Sequence, residues 1–257
     1  MRLSPTFPIV CFFAALIFLV SDQSFAKKTA YNEVNVLDGG KISGKVTFEG
    51  ALPENAIQTY SNLKSPEICG EKTTIKWVDV NDGALRGVFV MIDKIKEGKP
   101  WPAEMEQPKV MDQKGCAFLP WMQVIKPGAV IIRNSDEGLL HNVNAKELVG
   151  VEKGRDIGKT LFNVAQPDVG EMERDIAPRR VPYVGVSCQT HEQMYAYILA
   201  PSHPYATIVD DNGAFVLGNV PPGKYVIKAW HPRLGVQKTT VVVPEKGEAQ
   251  ANFRFQK

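Results

Sequence analysis

The sequence has few of the features that mark an enzyme or a nucleic-acid-binding protein. It contains no Gly-x-Ser-x-Gly elbow, no His-Glu-x-x-His pair, no phosphate-binding glycine loop and no dinucleotide fingerprint. Lysine and arginine (30) barely outnumber aspartate and glutamate (28), and no basic run stands out. We therefore expect no enzymatic activity, and neither nucleic acid nor an anionic membrane surface as a partner.

Long apolar runs are also scarce. The one apolar run, residues 9–20, is shorter than the roughly 20 residues that a membrane-spanning helix needs. Arg2 precedes it and the small-residue motif Ser-Phe-Ala follows at 24–26, which predicts a signal peptide at residues 1–26. We expect a soluble periplasmic protein with no membrane span in its mature form, although a lipid anchor at Cys11 is an alternative.

Cysteine is rare, and the three residues left after signal cleavage are Cys69, Cys116 and Cys188. An odd number in an oxidising compartment leaves one thiol unpaired, and metal coordination is one way to protect it. Cys69 and Cys116 each lie beside a glycine in a turn-like stretch, so we predict a disulfide between them. That assignment leaves Cys188 free.

Helical periodicity is almost absent, which favours an all-β fold. Short apolar or alternating runs are instead bounded by Gly, Pro, Asn and Asp, with 21 glycines and 18 prolines in the chain. The predicted strands include residues 42–48, 87–92, 129–133, 183–186, 195–199, 214–217, 225–230 and 239–243. Residues 147–180 are charged and rich in Gly and Pro, so we expect a long loop or insertion there, with only 161–164 resembling a strand.

Two units can be separated by their turn patterns. Residues 210–215 read Asp-Asp-Asn-Gly-Ala-Phe and residues 221–225 read Pro-Pro-Gly-Lys-Tyr, a β-hairpin pattern without opening strands of its own. With residues 44–50 and 87–92 as those strands, the pattern resembles a carboxypeptidase regulatory-like, transthyretin-type β-sandwich. The resemblance implies a discontinuous unit at 38–105 with 202–257, around a second unit at 106–201. A serial three-part arrangement is the alternative.

The second unit carries a set of metal-ligand residues. Cys188, His191 and Met194 occupy one short loop, and His141 lies upstream. Two imidazoles, one thiolate and a weak thioether form the ligand set of blue copper sites, which suits both Cu(I) and Cu(II). Buried structural roles for the cysteine and methionine are the ordinary alternative. Zinc is a weaker option because a thioether ligates it poorly.

The spacing Cys-x-x-His-x-x-Met and the upstream His-Asn-Val resemble the cupredoxin family, with an amicyanin-like ligand loop. The resemblance implies a cupredoxin Greek-key β-sandwich, one type 1 copper ion, and electron transfer with a redox partner protein through an exposed edge of His191. It also implies that Asn142 braces the ligand loop. Asn134-Ser135-Asp136 matches a motif often found before the first histidine. Glu192 stands where amicyanin has proline.

Other functions stay open from the sequence. The chain as a whole resembles exported methylamine utilisation proteins, whose individual functions are generally undefined. A copper-binding or assembly module without redox turnover, or a structural protein with a vestigial site, are the alternatives to electron transfer. His203 and His231 lie beside aromatic residues and are interpreted as structural. Cys188 and His191 could also act as a nucleophile and its base, but a tight β-loop favours shared metal ligation.

Overall fold

The computed structural model describes residues 31–153 and 157–256. The predicted signal peptide and its cleavage point lie outside these residues. Among them, no helix is both long enough and apolar enough to cross a membrane.

The described residues are almost entirely β-structure, as predicted. The strands before residue 106 are β1 (Asn32–Glu33), β2 (Gly40–Glu49), β3 (Ile57–Ser61), β4 (Lys72–Lys76), β5 (Val80–Asn81), β6 (Ala84–Leu85), β7 (Phe89–Ile92) and β8 (Glu97–Gly98). Those of the middle region are β9 (Lys109–Gln113), β10 (Phe118–Leu119), β11 (Met122–Val124), β12 (Gly128–Asn134), β13 (His141–Glu147), β14 (Lys159–Gln166), β15 (Gly170–Ile176), β16 (Tyr183–Ser187) and β17 (Tyr195–Leu199). The last are β18 (Ala206–Ile208), β19 (Ala214–Val220), β20 (Gly223–His231), β21 (Gly235–Val243), β22 (Glu248–Gln250) and β23 (Phe253–Gln256). Helical segments are the one-turn helix α1 (Pro66–Cys69) and two 3-10 turns, Ala103–Met105 and Val151–Lys153.

Strands β9 to β17 form a two-sheet sandwich, which we call the central unit (residues 109–199). One sheet has the order β10-β9-β12-β15, and the other has the order β11-β17-β16-β13-β14. Strand β12 alternates between partly exposed and buried positions, and it turns Val130 and Ile132 into the core between the sheets. This alternation is the sequence pattern that predicts a half-buried strand.

The flanking unit is built from both sides of the chain around the central unit. Its sheets have the orders β18-β7-β20-β21 and β19-β2-β6-β5, and β22 and β23 also pair with β2. Strands β2 and β7 come from residues 40–92, whereas their neighbours β18 to β23 come from residues 206–256. The apolar side chains of both segments share one core, separate from the core of the central unit.

A third buried cluster joins the two units. Trp230 of β20 stacks on Phe89 with 5.0 Å between ring centroids, and it contacts Tyr183 of the central unit at 4.7 Å. Glu152 of the central unit accepts hydrogen bonds from Lys228 and Lys238 of the flanking unit at 2.5 and 2.7 Å. The two units are therefore packed together through both aromatic and charged contacts.

The interpretation of residues 147–180 as a loop was wrong. Strand β14 pairs with β13 along its length, and β15 pairs with β12 from Gly128↔Ile176 to Asn134↔Gly170. Both are edge strands of their sheets. Charged residues are common on edge strands because they oppose edge-to-edge association. Here those charges conceal the alternating pattern.

A hairpin that the sequence did not predict projects from the flanking unit toward the central unit. It consists of β3, α1 and β4, and we call residues 57–76 the arm. Strands β3 and β4 pair only with each other among the described strands. Ile68 and Cys69 at its tip pack against the core of the central unit. A disulfide joins Cys69 to Cys116, the pair predicted from the sequence, so the arm is covalently attached to the central unit.

Candidate metal centre

Three of the four candidate ligands come from the ends of three neighbouring strands, and His191 lies in the loop between β16 and β17. His141 is the first residue of β13, Cys188 directly follows β16, and Met194 directly precedes β17. Strand β16 lies between β13 and β17 in an antiparallel arrangement, so these strand ends meet at one end of the sandwich.

The loop between β16 and β17 closes on itself through its backbone. The amide of Cys188 donates to the carbonyl of Met194 at 3.2 Å, and the amide of Met194 donates to the carbonyl of His191 at 3.0 Å. These bonds fold the loop so that Nδ1 of His191 lies 3.8 Å from Sγ of Cys188.

Three of the four candidate ligands form a compact buried cluster. Ligand atoms of His141, Cys188 and His191 lie within 4.8 Å of one another, and all three side chains are buried. The two imidazole rings meet edge to face, with 4.9 Å between centroids. The side chain of Met194 is 1% exposed and packs in the same apolar core as Cys188.

Cys188 is set up to carry a negative charge despite its burial. Burial opposes ionisation of the thiol, but the neighbouring His141 ring and nearby backbone amides outweigh it and lower the pKa of Cys188. One of those amides belongs to Asn142, which donates to Sγ at 3.4 Å. Because the thiolate is the form that binds metals, a lowered pKa prepares this cysteine for ligation.

His141 is held by one ring nitrogen, while its other ring nitrogen faces the cluster. Nε2 lies 2.8 Å from Oδ2 of Asp136, which also accepts the amide of Cys116, while Oδ1 accepts the amide of Gly115. Burial raises the pKa of Asp136, but these bonds outweigh it and lower that pKa, so the ionised carboxylate accepts a hydrogen bond from Nε2–H. Within the described residues, the buried Nδ1 of His141 has no hydrogen-bond partner.

This orphaned nitrogen is the test of whether the residues fit a metal ion. A buried polar atom is normally satisfied, and a histidine ligand usually bonds a carboxylate through its other nitrogen. Nδ1 of His141 is left unsatisfied while Nε2 bonds the carboxylate of Asp136, and the ring lies beside a thiol of lowered pKa and a second imidazole. The arrangement therefore fits a transition metal bound by one thiolate and two imidazoles.

The side chain of Asn142 is hydrogen-bonded to the ligand loop. Its Oδ1 accepts the backbone amide of Gln189 at 2.7 Å, and its Nδ2 donates to Oδ1 of Asn163. Asn163 in turn donates to the side chain of Gln189 at 2.9 Å. Strands β13 and β14 are thereby tied to the residue that follows Cys188.

The expectation of an exposed His191 edge was wrong. The side chain of His191 is 2% exposed, and the tip of the arm packs against the core beside it. The sulfur atoms of Cys69 and Cys116 lie within 4.8 Å of a His191 ring nitrogen. Burial lowers the pKa of His191, and the charges of His141 and Lys64 lower it further.

The other two histidines each accept backbone amides: His231 ends strand β20, and His203 lies in a bend. His231 accepts the amides of Arg233 and Leu234 on Nδ1, and burial lowers its pKa to about 3. His203 accepts the amide of Tyr205 at 3.3 Å. Neither belongs to a metal-ligand group among the described residues.

Sequence reasoning missed two features of the site. It noted the Asn-Ser-Asp motif but not that Asp136 would hold His141, and it did not foresee the arm. The signal for Asp136 is its position five residues before a histidine across a turn. The arm has no local signal, because its position depends on a contact with a distant part of the chain.

No family model matches the chain, and no curated protein matches it. Amicyanin from Paracoccus versutus is 16% identical, with 44% of this chain and 97% of that chain covered and a TM-score of 0.29. A purple cupredoxin from Nitrosopumilus maritimus is 17% identical, with 33% and 81% covered and a TM-score of 0.25. A copper-containing nitrite reductase from Thermus scotoductus is 15% identical, with 43% and 25% covered and a TM-score of 0.28. The chemistry of the site therefore has to follow from its own residues.

Proposed function

We propose that the protein is an exported one-electron carrier in which His141, Cys188, His191 and Met194 hold one type 1 copper ion. The observation that carries the proposal is the buried cluster of one low-pKa thiol and two imidazoles, one with an orphaned Nδ1. A bound type 1 copper supplies reversible one-electron transfer between its Cu(I) and Cu(II) states.

The protein residues would fix the ligands before any metal binds. Asp136 orients the His141 ring, and the amide of Asn142 stabilises charge on Cys188. The ligands sit at the ends of paired strands and in a loop closed by its own backbone. Little movement of the protein is then needed between oxidation states, which favours rapid electron transfer.

Copper fits these residues better than zinc. A structural zinc site needs four firm ligands, and a thioether is a poor one. Asp136 is the nearby carboxylate, but its oxygens already accept bonds from His141, Gly115 and Cys116. Two imidazoles and a thiolate with Met194 as a weak further ligand instead match the preference of copper.

The disulfide and the predicted signal peptide support a periplasmic location. A disulfide between Cys69 and Cys116 persists in an oxidising compartment, which supports export to the periplasm. A redox partner that approaches over His191 would meet the arm and not the imidazole ring itself.

The flanking unit is proposed to be a carboxypeptidase regulatory-like, transthyretin-type sandwich that supports the central unit. The predicted turn at residues 210–213 supports this assignment: Oδ1 of Asp210 accepts the amides of Asn212 and Ala214, and Gly213 has a φ of 71°. Its core consists of apolar side chains, which fits a supporting role.

Voltammetry of the copper-loaded chain tests the function. We expect a reversible one-electron wave that persists through repeated cycles, together with slow copper loss to a competing chelator. A site that binds copper but loses it rapidly, with no reversible wave, would contradict electron transfer and favour a copper-delivery module.

A further inference from the structure

The Cys69–Cys116 disulfide lies beside the candidate metal centre. Its two sulfur atoms and a ring nitrogen of His191 are within 4.8 Å of one another. Cys116 is buried, whereas Cys69 is partly exposed at the tip of the arm. The pair therefore extends from the protein surface to a ligand of the centre.

The two halves of this disulfide are held differently. The amides of Gly115 and Cys116 donate to the carboxylate of Asp136, which fixes the Cys116 side to the central unit. Cys69 belongs to the arm, whose strands pair only with each other among the described strands. Breaking the S–S bond would free the arm while leaving Cys116 in place next to Asp136 and His191.

We propose that Cys69 and Cys116, once reduced to thiols, form an uptake site for Cu(I) that leads to His191. A dithiol reductant supplies the two electrons and two protons that convert the disulfide to two thiols, and is itself oxidised to a disulfide. Cu(I) then displaces the two thiol protons and is bound by two thiolates. The copper identity rests on the function proposed above.

The ligand chemistry selects this metal and oxidation state. Thiolates are soft ligands that select Cu(I), and the reductant that opens the disulfide also keeps copper in that state. Cys69 gives the ion access from solvent, and the proximity of His191 provides the next ligand inward. A disulfide oxidant that takes two electrons from the thiolates, and is itself reduced to a dithiol, would release Cu(I) from the pair and restore the covalent closure of the arm.

Counting bound Cu(I) tests the proposal. The full chain, with its disulfide intact or reduced by an anaerobic dithiol that is then removed, is titrated with Cu(I) against a chromophoric Cu(I) chelator. Thiols are counted in parallel. We expect one equivalent in the disulfide form and two in the reduced form. Cys69→Ser, which leaves a single thiol in the pair, should lose the second equivalent.

A Cys188→Ala variant separates this proposal from the function of the main centre. In its disulfide form this variant should bind no Cu(I) tightly, and in its reduced form it should bind one equivalent through the pair. If reduced wild type still binds a single equivalent while its circular dichroism and thiol count show a folded, reduced protein, the uptake site is refuted. A second equivalent that survives in Cys69→Ser refutes it as well.

Discussion

At the scale of single residues, the candidate centre depends on which atom of each side chain is already hydrogen-bonded to a neighbouring residue. Asp136 occupies Nε2 of His141 and leaves Nδ1 toward the cluster, while the amide of Asn142 is directed at the sulfur of Cys188. Such partners fix a ring tautomer and raise the basicity of the ligand. The sequence supplied the ligand types, but only the fold shows which atoms remain open.

Replacing Asp136 with asparagine tests its role as the anchor of His141. Asparagine has nearly the same shape but lacks the charge, and its NH2 group must face either the Gly115 amide or the Cys116 amide and Nε2–H, where it cannot accept a hydrogen bond. We expect copper affinity to fall about 10- to 100-fold, measured by competitive chelator titration. Glu137→Gln removes the neighbouring exposed carboxylate and should leave the affinity unchanged; equal affinities in both variants would exclude the anchoring role.

Replacing Asn142 with alanine tests the brace of the ligand loop. The variant loses the acceptor for the amide of Gln189 but keeps its own backbone amide on Cys188. We expect a loss of about 1 kcal/mol in the free energy of unfolding of the metal-free protein, measured by urea denaturation. Asn163→Ala keeps the bond from the Gln189 amide to Asn142, loses only the side-chain bonds of Asn163, and should cost less. A larger loss of unfolding free energy for Asn163→Ala than for Asn142→Ala would show that Asn163, and not Asn142, is the main support of the ligand loop.

At the scale of elements, the strands that carry the candidate ligands were predictable and the edge strands were not. Residues 183–186 and 195–199 bury alternate or continuous apolar positions, which is the signal of a core strand, and strands lie there. Strand β15 instead reads Gly-Glu-Met-Glu-Arg-Asp-Ile, and its charges mask the same period. The arm was missed because its two strands contribute little core of their own, and its position depends on a disulfide distant in sequence.

Removing that disulfide should destabilise the protein as a whole. The cysteines are 47 residues apart in sequence, and the chain-entropy model gives about 4 kcal/mol for a loop of this length. Cys69→Ser with Cys116→Ser should therefore lower the free energy of unfolding by up to this amount in guanidinium denaturation. Dithiol treatment of wild type should reproduce the loss and leave the double variant unaffected. No difference between treated and untreated wild type would mean that the arm is held by its packing alone.

At the scale of the whole molecule, the chain places one sandwich between the two halves of another. The turn patterns at 210–215 and 221–225 indicated this organisation, since they form hairpins that lack opening strands. The contacts between the units could not be predicted, because Trp230 and Tyr183 are distant in sequence and each is also an ordinary core residue. The same limit applies to the charged contact of Glu152 with Lys228 and Lys238.

Glu152 makes this contact sensitive to pH. Burial raises its pKa, but Lys228 and Lys238 outweigh that effect and lower the pKa from 4.5 to about 2. Because the folded state holds the carboxylate ionised, the contribution is complete above pH 4.5 and is lost as the pH falls toward 2.

A Glu152→Gln variant should remove this contribution. We expect it to lower the free energy of unfolding by about 1 to 2 kcal/mol at neutral pH and to flatten its decline between pH 4.5 and 2. Glu54→Gln, which changes an exposed carboxylate, serves as the control. A decline as steep as that of wild type would show that other carboxyl groups control acid unfolding.

The most direct test of the metal centre is the visible absorption spectrum of the purified chain after addition of Cu(II), beside the same measurement on Cys188→Ala. The account predicts an intense thiolate-to-copper charge-transfer band in wild type, with one copper per chain, and no such band in the variant. A folded wild-type chain that retains its Cys188 thiol and shows no band would contradict a type 1 copper site.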